Sequence, residues 1–379
     1  MIRLVGALAT IALVALLPSA SAATTADRQL DAAMNKLVAM KGGPPGAISV
    51  VQRDGQRKVH RAGVANLRDR APLRSTDHMR IASMSKAFSG AVALSLVEKG
   101  VLSLDDTIAQ RLPPLPAAWG QVMLRQLLDH TSGLPDYTKD KTLLALLARK
   151  PHTLFLPLGT VLSYVADEPL NFAPGSKYLY SNSDNITVAL MAQAASGRTY
   201  DDLLPSEVYA PAGLIQTSMA DGFRIPAPYI HGYDMTVNPP ADISTALAMS
   251  FVWASGGIIS TPDDLTSFIR AYTSRKFFGQ GTQDQQLRLV AGHSEPIGPG
   301  RNLAGLGIFR YTTRCGAVYG HTGNFPGYTQ VMAATLDGNR SATFAITTQL
   351  NTDNLTRTQR PVFAARRRAE ETAVCAALD

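Results

Sequence analysis

Apolar residues recur every three to four positions in "DRQLDAAMNKLVAM", which predicts a helix near the N-terminus. The pattern then switches to short runs. "AISVVQRDGQRKVHRAGVANL" predicts a hairpin of Ala47–Val51 and Arg57–Ala62 turning at Asp54-Gly55, because an Asp-Gly pair supplies the positive φ angles of a tight turn. A long middle stretch carries helical spacing broken by Gly and Pro, with helices expected at Lys86–Glu98, Leu124–Leu128, Lys141–Lys150, Ser183–Ala195 and Pro262–Tyr272. Strand-like runs return in "LAGLGIFRY", "GAVYGH", "YTQVMAATL" and "SATFAITTQL", the last two joined at Asp337-Gly338-Asn339, and Pro361–Ala377 closes as a helix. The expected fold is therefore α/β of the α+β kind. An antiparallel sheet is built from both ends of the chain (about 27–82 and 255–379) and flanked by the terminal helices, with a mostly helical lobe (about 83–254) packed on it. A cleft between two such lobes is where a ligand site is expected.

Three features outside the fold pattern change the picture. Arg3 precedes an apolar run from Leu4 to Leu17 that ends in Ala20-Ser21-Ala22. This reads as a signal peptide over 1–22 and predicts a secreted or periplasmic protein without stable membrane insertion after cleavage. Loss of Arg3 takes the formal charge from +7 to +6, and the basic residues are scattered. The run Arg366-Arg367-Arg368 is followed by Glu370 and Glu371, so it reads as a solvated helix face and no nucleic-acid partner is expected. Two cysteines, Cys315 and Cys375, suit one disulfide in an oxidising compartment. The seven histidines show no metal-ligand spacing such as His-Glu-x-x-His, so neither metal nor cofactor is expected.

The chemistry concentrates in three short stretches. In "RIASMSKAF" Ser83 stands three residues before Lys86 at a helix start, on one face and within proton-transfer reach. Serine needs a neighbour to take its proton, and a desolvated lysine can do so; a serine cap followed by a surface lysine fits the same four residues. "LYSNSDN" offers Tyr180 and Asn182 at the entrance to another helix, as a proton-sharing phenol and an amide able to hold a substrate carbonyl, or as a buried tyrosine near a cap. "VYGHTGNFPGY" places His321, Thr322 and Gly323 on a strand that can lie along a substrate, or in a simple turn.

Together, Ser-x-x-Lys, Tyr-x-Asn and His-Thr-Gly in this order resemble the three boxes of the penicillin-recognising serine enzymes. The resemblance extends through "LRQLLDHTSGLPDY", "FAPGSKYLYSNSDN", "ASGGIISTPDDL" and "CGAVYGHTGNFPGY". It is to the branch with class C β-lactamases, secreted D-alanyl-D-alanine carboxypeptidases and related esterases, and most to the carboxypeptidases. It implies a β-lactamase/transpeptidase-like fold with Ser83, Lys86, Tyr180 and His321 catalytic, the base being either Lys86 or Tyr180. Asn182, Thr322, Gly323 and Asn324 would bind substrate, with the N–H groups of Ser83 and Asn324 as oxyanion donors. Cys315 and Cys375 match the positions of a disulfide in that branch. The substrate implied is a D-Ala-D-Ala-type peptide of peptidoglycan, with β-lactams as acylating agents. Turnover of β-lactams, esters or D-amino-acid amides, or a non-catalytic penicillin sensor, is the alternative. Two positions depart from the pattern. Asn324 replaces a hydroxyl residue, and Phe309 stands where an arginine for the substrate carboxylate is expected, with Arg310 one place on; a bulge would be needed to aim Arg310 at the cleft. Trp253 in "FVWASGG" either lines the cleft or belongs to the core.

Overall fold

The computed structural model describes residues 24–151, 153–350 and 355–379; the segment 1–22, expected to be a signal peptide, lies outside them. Helix α1 (Thr25–Ala39) starts at a capping box, Thr24 accepting from the Asp27 N–H while Asp27 accepts from Thr24, and buries Leu30, Met34 and Leu37 on one face. Strands β1 (Gly46–Arg53) and β2 (Gln56–Gly63) form the hairpin expected at Asp54-Gly55, whose φ angles are +48° and +78°. Helix α2 (Ser85–Glu98) is buried along almost its whole length, so it is the central helix, not a surface one. Helix α3 (Asn182–Ser196), the short α4 (Trp253–Gly256) and α5 (Pro262–Thr273) follow.

Strands β3 (Val290–Ala291), β4 (Arg301–Gly305), β5 (Ile308–Thr313), β6 (Gly316–Phe325), β7 (Tyr328–Ala334) and β8 (Ser341–Ile346) complete an eight-stranded sheet in the order β2-β1-β8-β7-β6-β5-β4-β3. All its pairings are antiparallel, and β1 joins β8 with Ala47 opposite Ile346, so the two chain ends meet as expected. One core lies between the sheet and α1 with the C-terminal helix α6 (Gln359–Leu378); the other lies between the sheet and the middle helices. A second, three-stranded sheet of Met79–Arg80, Ile258–Ser260 and Ser218–Met219 was not foreseen. Strands of two or three residues carry too little alternation to read. It matters because it ties the segment before Ser83 to the one after Ser255.

The expectation of a solvated face is corrected for Arg366 and Arg367, while Arg368 is exposed as expected. Arg366 is fully buried, pairs with buried Glu370 at 2.7 Å and lies 4.7 Å from the Phe363 ring centroid. Arg366 and Arg367 donate to the carbonyls of Ile297, Gly298 and Gly300. These partners are some 67–69 residues away in sequence, which is why local charge patterning missed them. The Cys315–Cys375 disulfide joins the β5–β6 turn to α6, with Cα atoms 5.3 Å apart across a separation of 60. On the chain-entropy model a loop of that size contributes about 4 kcal/mol. The double variant Cys315→Ser/Cys375→Ser is expected to lose that much in urea unfolding; an unchanged midpoint would refute the assignment.

Candidate active site

Ser83 sits on a single tight turn, Ala82–Met84, ahead of α2, and the preceding Ala82 has φ +50°, a left-handed conformation costly for a side-chain-bearing residue. The turn is clamped from both sides. The Ile81 N–H donates to the Ile258 carbonyl at 3.2 Å, and β6 crosses so closely that a Cβ on Gly323 would stand 2.3 Å from the Ile81 oxygen. The glycine of the third stretch is therefore required by the approach of strand to nucleophile. The result is a cleft of about 560 Å³ lined by Ser83, Tyr180, Asn182, Asn324, Ser255, Asp136 and Glu295 among others.

Lys86 is buried one turn beyond Ser83. Its Nζ reaches the Ser83 Oγ at 3.1 Å, the Asn182 Oδ1 at 2.7 Å and the Ser255 carbonyl at 2.7 Å. The Asn182 Nδ2 donates to the Asp136 carboxylate at 3.1 and 3.3 Å and to the Thr138 hydroxyl at 3.2 Å, which fixes its oxygen toward the lysine. Asn182 Oδ1 and Ser255 O can only accept. A neutral Lys86 amine would direct its two N–H groups to them and leave its lone pair for the one partner with a proton to give, Ser83. Burial lowers the Lys86 pKa to about 7, against the opposing pull of Asp136, Glu295 and Asp184.

Tyr180 lines the same cleft. Its hydroxyl is buried without a hydrogen-bond partner of good geometry among the described residues, although the Ser83 hydroxyl is near enough to affect its titration. Burial pushes its pKa well above that of an ordinary phenol, so it stays protonated. His321 is buried, and its Nδ1 donates to the Thr322 carbonyl at 2.6 Å, an acceptor-only partner that assigns the ring proton to Nδ1. Burial lowers its pKa to about 3, so the ring is neutral at ordinary pH.

Comparison with known proteins identifies the family. The family profile described as Beta-lactamase matches residues 26–366. The chain belongs to the β-lactamase family. It is 25% identical over 294 residues to "Penicillin-binding protein 4*" of Bacillus subtilis (strain 168), covering 73% of this chain and 62% of that protein. It is 29% identical over 291 residues to a "D-aminopeptidase" of Brucella anthropi, covering 73% and 52%. The chain thus spans half to three fifths of these relatives. A D-stereospecific amidohydrolase from Streptomyces sp. superposes with a TM-score of 0.75 at 25% identity, over 89% of this chain and 97% of that one. The relatives of this β-lactamase-family chain thus include a penicillin-binding protein and a D-aminopeptidase.

Of the candidate substrate-binding residues, Trp253, Arg310 and Thr322 do not line the cleft. Trp253 is in the core, 2% exposed, edge-on to Tyr200 and bordering a separate cavity with Leu154 and Met249; its neighbours Val252, Ser255 and Gly256 line the cleft instead. The β5–β6 register runs unbroken, with Phe309 opposite Gly320 and Arg310 opposite Tyr319, so no bulge turns Arg310 and it does not line the cleft. Phe309 is buried, its ring edge-on to His321 at 5.1 Å. The Thr322 side chain is buried and donates to the Pro296 carbonyl at 2.8 Å, holding a loop in place and not reaching the cleft.

Sequence reasoning gave no role to His130 and Asp184, although both lie in stretches that carry the resemblance. They bond at 2.7 Å in full burial, Ser132 donates to the other Asp184 oxygen, and the His130 ring lies 4.4 Å from that of Tyr180. Burial lowers the His130 pKa to about 3 and raises that of Asp184. Asp184→Ala strands two buried donors, so it is expected to cost about 3 kcal/mol by chemical denaturation. A change below about 0.5 kcal/mol would show the pair to be structurally idle.

Proposed function

We propose that the protein is an exported serine hydrolase that cleaves the amide bond of D-configured amino-acid amides and short peptides through an acyl-enzyme on Ser83. The observation that carries the choice of substrate is the wall beside His321. Phe309 covers the position expected of a carboxylate-binding arginine, in a register that leaves Arg310 outside the cleft. This favours a substrate without a terminal carboxylate over the D-Ala-D-Ala peptide expected from sequence. The names of the D-aminopeptidase and D-stereospecific amidohydrolase support amide cleavage and D-configuration.

In this reading the Ser83 hydroxyl passes its proton to neutral Lys86 as its oxygen attacks the carbonyl. The developing oxyanion is held by the N–H groups of Ser83 and Asn324, each such donor being worth about 3 kcal/mol in the transition state. The Tyr180 phenol protonates the leaving nitrogen, and Lys86 restores its proton. Water then releases the acid by the reverse sequence. Export is supported by the signal pattern and by a disulfide of the kind that persists in oxidising compartments; intact mass of the secreted protein should lack residues 1–22.

The deciding experiment offers purified protein a D-amino-acid amide, its L-enantiomer, a D-Ala-D-Ala peptide and penicillin. Preferential ammonia release from the D-amide supports the proposal. Release of D-alanine from the peptide alone would return it to the carboxypeptidases, and consumption of penicillin with no amide cleavage to the β-lactamases. A chain that reacts with none of them would be an esterase or an inert binder, which an activated ester separates.

A further inference from the structure

Gln330 is a fully buried polar residue on β7 that stands outside the cleft lining. It lies opposite Gly323 of β6 in an unbroken antiparallel register. Its Nε2 donates at 2.7 Å to the carbonyl of Arg80, three residues before Ser83. A carbonyl only accepts, so this bond assigns the amide nitrogen to the Arg80 side. The Gln330 Oε1 then has no hydrogen-bond partner among the described residues. A buried amide paired at one end only is costlier than a hydrocarbon of the same size. Packing therefore does not explain the choice of side chain; what glutamine adds is its donor.

That donor links the sheet to the segment leading into the nucleophile. Arg80 is held at both ends. Its guanidinium donates into the helical lobe, to the carbonyls of Ser244 at 2.9 Å and Phe223 at 2.6 Å, while its own carbonyl is held by Gln330. Strand β5 pairs with β6 only as far as Gly320, and beyond that point β6 runs against the Ser83 turn. A Cβ on Gly323 would stand 2.3 Å from the Ile81 oxygen and 3.3 Å from both Cγ and Nε2 of Gln330. Ile81, Gly323 and the Gln330 amide thus meet in one close contact. Ser83 follows Ile81 by two residues, and Asn324 follows Gly323 by one. The neighbouring Thr329 hydroxyl donates to the Asn324 Oδ1 at 2.9 Å, so β7 holds Asn324 as well.

We propose that Gln330 is a positioning residue that sets the separation of the two oxyanion donors, the N–H groups of Ser83 and Asn324. The inference rests on the acyl-enzyme reading above, though not on its choice of substrate. One donor rides on the Ser83 turn and the other on β6, so their spacing depends on how the turn is seated against the strand. Without the bond to Arg80 the turn keeps its tie to the Ile258 carbonyl but loses its side-chain tie to β7. Oxyanion donors must stand about 2.7–3.1 Å from the oxygen they stabilise. A small shift between turn and strand therefore weakens the transition state far more than it weakens substrate binding. Gln330 acts through the backbone it holds and not on the substrate.

The test compares p-nitrophenyl acetate with its thionoester, in which sulfur replaces the carbonyl oxygen. The two share nucleophile, base and leaving group, but sulfur is larger and a weaker acceptor, so it gains little from donors placed for oxygen. The ratio of kcat/KM values, ester over thionoester, therefore reads the oxyanion donors. Gln330→Met fills nearly the same volume without the donor. It is expected to lower kcat/KM for the oxygen ester between about ten- and a hundredfold and that for the thionoester less than about threefold, so that the ratio falls roughly tenfold. Gln330→Asn, whose amide stops one carbon short of Arg80, should lose the ratio in the same way and serves where the methionine variant does not fold. Thermal midpoints separate misfolding from misplaced donors. An unchanged ratio in the folded variants, whether both substrates slow equally or neither does, overturns the role of Gln330. So does a ratio near one in the unaltered protein. If the unaltered protein cleaves the ester but no D-amide, the choice of substrate falls while the Gln330 result stands. If it cleaves neither ester and is not labelled by penicillin, the acyl-enzyme reading falls and this inference with it.

Discussion

Ser83→Ala is expected to abolish covalent labelling by penicillin and to lower amide hydrolysis by a factor on the order of 10⁵ or more, the scale seen when a hydrolase loses its nucleophile. The fold should persist, because Ser83 is half-buried at the cleft and its hydroxyl meets the Lys86 amine and not a core partner. No nearby serine can substitute. The Ser85 hydroxyl accepts from the Ile258 N–H at 3.2 Å, and that of Ser255 is shared between the Val252 carbonyl at 2.7 Å and the Tyr137 hydroxyl at 3.0 Å. Both are fully buried. Intact mass spectrometry reads the outcome directly, with thermal unfolding as the control for folding. A drug-sized mass increase on the alanine variant would place the nucleophile elsewhere and remove the basis of the mechanism.

The parts of this site legible from sequence were those where a side chain announces its chemistry and its spacing. Ser83 with Lys86, Tyr180 with Asn182, and His321 with Gly323 each fall within four residues, and their elements were readable because Gly and Pro punctuate the helices and Asp-Gly turns the first hairpin. What escaped notice acts through the backbone or across long separations. The Ser255 carbonyl that completes the Lys86 site is 169 residues away and carries no residue-type signal, since any residue offers a carbonyl. His130 and Asp184 are 54 residues apart, and each alone reads as an ordinary polar residue near a helix end. Asn182 was expected to hold substrate, but its amide is engaged at both ends by Lys86 and Asp136, a commitment that only the packing of α2 against α3 reveals. Trp253 remained open between cleft and core because the short turn of α4 sends adjacent side chains to different cavities.

Lys86 offers the sharpest division between the two candidate bases. Its amine is set to be half neutral near pH 7, so acylation should rise with pH through about 7 as the ammonium loses its proton and then level off. The sign follows from burial. Desolvation destabilises the charged form, so the amine becomes competent several pH units below a solvent-exposed lysine. Tyr180 moves in the opposite direction, since burial raises its pKa; were its phenolate the base, activity would climb only in strongly alkaline solution. Lys86→Arg keeps the positive charge while removing any neutral state at accessible pH. It is expected to cost about 10³-fold in kcat/KM, within the range of general-base catalysis, and to erase the limb near pH 7. The guanidinium must also fit a site shaped for two acceptors and the Ser83 hydroxyl around one nitrogen, so Lys86→Met, which keeps the apolar stem, provides the second variant. Tyr180→Phe should instead retain acylation by activated esters, whose leaving groups need no proton, while losing amide cleavage. Rapid acylation by Lys86→Arg with the limb near pH 7 intact, or loss of ester acylation in Tyr180→Phe, would transfer the base to the tyrosine and reverse the assignment built on the two acceptors and the Ser83 hydroxyl around Lys86.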